Sequence, residues 1–160
     1  MHAHHPAQTM LAAPMLRTTA IGAAAACATG AQPNAAPLTK NERLAFAIQA
    51  HQARRAMGHH STANLDAACR LLVCMLAAHH LAGLGVGSEC QHLTGDAVAA
   101  ARAAVARASR HASAGALSAA EAEHIGRALA TLDLQTQSAH LTDAVWHIAM
   151  QQVQHHITAR

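Results

Sequence analysis

The chain has 160 residues, the length of one domain, and carries a net charge of +3 with histidine neutral and a pI of about 9.0. Aromatic content is 1%, tyrosine is absent and more than a quarter of the chain is alanine, so strand-forming runs are missing and a sheet is not expected. The basicity is too mild to imply nucleic acid by itself, while the 15 histidines make the charge strongly pH-dependent below about pH 6.5.

Residues 1–37 read as a disordered Ala/Pro/His-containing tail. They hold all four prolines (Pro6, Pro14, Pro33 and Pro37), a single charge at Arg17 and no sustained periodicity. Met15-Leu16-Arg17 followed by TTAIGAAAAC has the outline of a short export signal ending at Cys27. Its apolar region is mostly alanine and has no leucine run, so a cytoplasmic protein is the expectation. Met1-His2-Ala3-His4-His5 has the chemistry to hold copper or nickel adventitiously, as exposed His-rich tails do.

Residues 38–160 read as a helical bundle domain. Thr39 and Glu42 have capping-box spacing and predict a helix over 39–57 that stops at Gly58. This helix has two apolar stripes on nearly opposite sides, Leu44/Ala47/Ile48 and Phe46/Ala50/Ala53/Met57, and therefore needs covering twice. Arg54 and Arg55 fall in its last turn, where positive charge suits the helix dipole.

After the linker His59-His60-Ser61, with Ser61 or Thr62 as cap, the second helix is predicted over 62–81. It is apolar almost all round, its only charges being Asp66 and Arg70 at i,i+4. Such a helix is either buried or spans a membrane. The strongly apolar run from Leu71 to Ala78 falls short of the ~20 residues a bilayer needs. His79 and His80, then Gly83, Gly85 and Gly87, follow it, so a buried helix ending in a glycine turn is predicted and no membrane span. Cys69 and Cys74 lie about 140° apart on this helix. With Cys27 and Cys90 they form no Cys-x-x-Cys pair and read as free thiols in a reducing compartment.

Ser88 and Gln91 repeat the capping spacing, which starts a third helix there or at Thr94 and carries it to about Ala112. Leu93, Ala97, Val98, Ala101, Ala104, Val105 and Ala108 form its inner face, and Arg102, Arg107 and Arg110 its outer face. Ser118 and Glu121 are the clearest capping box, opening a fourth helix over 118–137 that buries Ile125, Ala128, Leu129 and Leu132 and pairs Glu123 with Arg127 outside. Thr142 caps a fifth helix over 142–157, with Leu141 placed to staple onto Trp146 and with Val145, Trp146, Ala149, Met150, Val153 and Ile157 on one arc. Short connections favour antiparallel neighbours, giving an all-α bundle of four to five helices.

Three constellations carry possible chemistry. His79, His80, Cys90 and His92 flank one turn and are the candidate zinc ligands, although Cys-x-His is not a common ligand spacing. Glu89-x-x-His92 and Glu121-x-x-His124 have the spacing of a carboxylate-bridged di-metal bundle, with Glu42 and Asp66 nominally completing the set. Both motifs, however, fall in first turns, where capping already accounts for the glutamates. Arg102, Arg107 and Arg110 form the candidate nucleic-acid surface, without stacking aromatics or a helix-turn-helix. No nucleophile elbow or phosphate loop is present, so no catalytic residue and no cofactor is assigned.

Gly83-Leu84-Gly85-Val86-Gly87-Ser88-Glu89, Leu117-Ser118-x-x-Glu121, Leu129-x-x-Leu132-Asp133-x-Gln135 and Leu141-Thr142-x-Ala144 run through Leu65 to Val153. In these segments the chain resembles small uncharacterised all-helical proteins of bacterial prophages and mobile elements. The resemblance implies an all-helical domain and brings no activity or site with it. The expectation is a non-enzymatic helical protein that works by helix-face contacts, with a second copy or another helical protein as partner. The alternatives are a DNA-associated accessory protein and a metal-binding bundle.

Overall fold

The computed structural model describes residues 40–58, 65–110 and 116–159. Among the described residues five helices form: α1 (Lys40–Gly58), α2 (Leu65–Gly83), α3 (Gln91–Arg110), α4 (Ala119–Gln137) and α5 (Asp143–Thr158). A 3₁₀ turn, Ser88–Cys90, precedes α3, and no strand occurs among the described residues. The fold is the all-α bundle that the periodicity predicts. The tail with Cys27, and the expected caps at Thr39, Ser61 and Thr62, lie outside the described residues.

Helix α2 is the hub. It packs against α1, α3, α4 and α5, while α4 also packs against α1 and α3. Ala68, Leu71, Met75, Ala77, Ala78 and Leu81 are fully buried, because neighbours cover almost every side of the helix. By length and composition alone α2 is apolar enough to cross a membrane, and 61% of its most apolar stretch is buried against the other helices. The exception is the strip of Asp66 and Arg70, which pair at 3.0 Å with both side chains about two-fifths exposed. Alanines fill much of the helix–helix contact, including Ala97, Ala101 and Ala104 of α3, Ala128 of α4 and Ala149 of α5. Small side chains let axes approach closely, although each buries little area at ~25 cal/mol per Å².

The end of α2 is a Schellman turn. The N–H of Val86 donates to Leu81 O (2.9 Å) and that of Gly85 to Ala82 O (3.1 Å), with Gly85 at φ +95° in the left-handed position this motif needs. Gln135 of α4 locks the turn from the side. Its buried amide donates to Ala78 O (3.0 Å) and Val86 O (2.8 Å), so one side chain satisfies the last turn of α2 and the loop beyond it.

Local signals set the other boundaries. The Ser118–Glu121 box closes reciprocally, and Thr142 accepts from the N–H of Val145. At Ser88 the expected box does not form. Gly87, at φ +76°, occupies the cap position of the 3₁₀ turn, no side-chain cap is made, and α3 proper starts at Gln91. Thr94 is not a cap either; it is fully buried inside α3, and its hydroxyl donates back to Gln91 O (2.9 Å) or Cys90 O (3.1 Å).

On α1 the Phe46, Ala50, Ala53 and Met57 stripe is buried, together with Ala47, whereas Leu44 and Ile48 are 55% and 46% exposed. Phe46 meets Trp146 of α5 edge-on at 5.0 Å, and Arg43 lies 3.7 Å from Asp143. Helix α5 thus runs from the N-terminal half of α1 to the C-terminal end of α2, where His156 meets His80. The expected arc is its packed side, with Trp146, Ala149 and Val153 buried beside Leu141.

Two substitutions test this reading. Gln135→Ala removes two buried hydrogen bonds, to Ala78 O and Val86 O, and is expected to destabilise the chain by about 2–3 kcal/mol in chemical denaturation. Gly95→Ala lies inside α3, where the added Cβ meets only His79 at an ordinary 3.6 Å; it should raise stability by about 0.5–1 kcal/mol.

Candidate functional site

The four residues expected around a zinc ion do not converge. His79 turns to Thr94. The single hydroxyl hydrogen of Thr94 goes to a backbone carbonyl, so the His79 Nδ1–H donates to Thr94 Oγ1 at 3.2 Å. His80 turns instead to α5. Cys90 sits partly exposed in the 3₁₀ turn, and the nearly fully exposed His92 pairs with Asp96 one helical turn on, at 3.4 Å. Among the described residues no group of three or more His, Cys, Asp or Glu side chains is placed to hold a metal ion, and this removes the Glu-x-x-His arrangement too. Glu121 of that arrangement is committed elsewhere.

Its partner is Arg107. The guanidinium donates to both carboxylate oxygens of Glu121 at 2.7 and 2.6 Å and to Ala116 O at 3.1 Å, tying the end of α3 to the start of α4. Hydrogen bonding to Arg107, with the Ser118 cap adding to it, holds the Glu121 carboxyl below its ordinary range. The expected basic face therefore loses its middle member to a structural clamp. Arg102 is half-buried and Arg110 exposed, the latter donating to Ala106 O. Arg54 lies across α4 above Gly126, its guanidinium 3.1 Å from where a Cβ there would stand.

The thiols of α2 are sealed. Burial pushes Cys69 up to about 11, helped by the nearby Asp66 charge, and Cys74 up to about 12 against a small opposing pull from Arg70. Both stay protonated and unreactive at neutral pH. Cys69, Cys74 and Cys90 are free.

The polar cluster that the sequence did not disclose is the histidine pair at the junction of α2 and α5. His80 Nε2 lies 3.2 Å from His156 Nδ1, which is also 3.2 Å from Gln152 O. A carbonyl only accepts, so His156 Nδ1 carries the hydrogen and His80 presents its Nε2 lone pair. Protonating His80 would set two N–H groups against each other. Burial first, then the neighbouring His156 and His79, pull its pKa down to about 4. The pair opens onto a cleft of about 500 Å³ lined by His80, Ile148, Gln151, Gln152, His155 and His156. No family model, curated protein or solved structure matches the chain.

Two measurements follow from this geometry. Unfolded His80 takes up its proton near pH 6.5 and the folded form only near 4, so its contribution to stability is present above that window and is lost as pH falls through it. The thermal midpoint should drop between these values, and His80→Leu should flatten that drop. Glu121→Gln breaks the clamp on Arg107 and is expected to cost about 1–3 kcal/mol at pH 7. The loss should vanish at a pH low enough to protonate the wild-type carboxyl.

Proposed function

We propose that this protein acts by contact and not by catalysis, and that its contact surface is the exposed side of α1, which takes a second copy of the same chain. The observation that carries the reading is the pair Leu44 and Ile48, one turn apart and exposed on a helix whose opposite side is fully committed to the core. Residues within about 60° of Ile48 on the helical wheel are Asn41, Leu44, Ala45, His51, Gln52 and Arg55, all exposed and none a carboxylate. The His51 Nε2–H donates to the Asp133 carboxylate of α4 at 2.9 Å, and Leu134 of the same helix is 72% exposed.

A second copy fits this face in an antiparallel, two-fold arrangement in which both chains offer the same patch. Ala45 allows close approach of the two axes between Leu44 and Ile48. The two Arg55 side chains then lie about 27 Å apart along the axes, beyond the ~8 Å screening length, so the arrangement keeps these two like charges apart. The patch is small beside the ~800 Å² per partner of a stable complex, so association is reversible and concentration-dependent.

Sedimentation velocity over rising concentration should show a monomer–dimer equilibrium at high micromolar protein. Ile48→Glu should abolish it without altering the helical circular dichroism. A monomer throughout that range for the wild-type chain would sink the reading.

A further inference from the structure

The geometry points to a transition-metal site at the α2–α5 junction, in which His80 Nε2 and His156 Nδ1 hold a divalent ion such as zinc and solvent in the cleft supplies the remaining ligands. The two nitrogens stand 3.2 Å apart. At a metal–nitrogen distance of about 2.0 Å and a tetrahedral angle, two ligand atoms on one ion lie about 3.3 Å apart. The pair therefore already has the bite the ion requires. The cleft of about 500 Å³ beside it leaves room for water at the open positions.

The donors are nitrogen alone, a set that suits zinc, copper and nickel and not calcium or magnesium. His80 stands on the buried hub helix, which fixes its ring. Its Nε2 lone pair already faces the His156 ring, so no proton has to leave it for an ion to bind. At His156 the Nδ1 hydrogen now shared with Gln152 O and His80 must leave. Neutral imidazole accommodates this by carrying its one proton on Nε2 instead. The change is a tautomer exchange through solvent, with one proton on the ring before and after and none released.

His79 takes no part in this arrangement, its ring being turned to Thr94 of α3. A bound ion would replace the hydrogen that His156 Nδ1 shares between Gln152 O and His80 with two coordinate bonds and fasten the end of α5 to α2. The site does not depend on the α1 surface, and its test reads out independently of oligomeric state.

The test is zinc titration of the full, untagged chain at pH 7.5 by isothermal calorimetry, with thermal denaturation run in parallel. A His2→Gln/His4→Gln/His5→Gln variant removes the adventitious N-terminal donors. That variant should still bind one zinc per chain and gain thermal stability. His156→Gln in the same background, a change at an exposed residue, should weaken binding at least tenfold and lose the thermal gain. His80→Gln should do the same. Cobalt in place of zinc should give the visible absorption of a tetrahedral site only when both histidines are present. Binding that survives His156→Gln, binding that disappears with the N-terminal triple variant, or no binding at millimolar zinc would each overturn the proposal.

Discussion

A helix that is apolar on nearly every side has to be enclosed, and the enclosure of α2 organises this molecule. Its two charged residues are confined to the Asp66–Arg70 strip, and every other direction demands a neighbour. Four helices meet that demand. Because the wall residues are so often alanine, the helices enclose α2 by proximity more than by bulk. The larger side chains, Met57, Leu71, Met75, Leu81, Ile125, Leu129 and Leu132, fill the remaining spaces.

The C-terminal end of α2 is where the fold is decided. The Schellman turn, the start of α3, the amide of Gln135 and the end of α5 all meet within the segment from Ala78 to Val86. A helix end buried in this way would leave carbonyls without partners, a cost greater than most single contacts could offset. Gln135 removes that cost for Val86 and adds a second bond to Ala78 O inside the helix, while its own Oε1 is left buried without a hydrogen-bond partner. The histidine pair beside it is the other polar feature of this end, and there the tautomers arrange themselves around one lone pair.

The helices were legible because they announce themselves locally. Capping pairs such as Ser118 with Glu121 and breaks such as Gly58 act over a few residues, and the 3.6-residue repeat survives in isolation. Ser88 misled for the same reason. Its spacing to Gln91 is that of a cap, yet the positive φ of Gly87 brings the chain in as a 3₁₀ turn first. The basic face of α3 misled because a wheel shows where a side chain points and not what stands opposite; Glu121, on another helix, claims Arg107. His156 carries no motif at all. Its meaning depends on meeting a residue 76 positions earlier, which only the crossing of α5 over α2 provides. The candidate ligands His79, His80, Cys90 and His92 are neighbours in sequence, and three of the four are held by different partners in space.

The alanine packing also sets how this chain can change. In most cores the damaging replacement is the one that shrinks a side chain and leaves a void. Here many sites at the closest helix contacts, Ala50, Ala68, Ala77, Ala97, Ala101, Ala104 and Ala149 among them, are fully buried and already near the lower limit of size. Removing a methyl there exposes little, whereas adding one pushes two axes apart. The substitutions open to such a position are few, and each alters the surface by almost nothing. Variation in a protein built this way is driven outward, onto the exposed ridges of α1, α3 and α5, where its contacts with other molecules would be made.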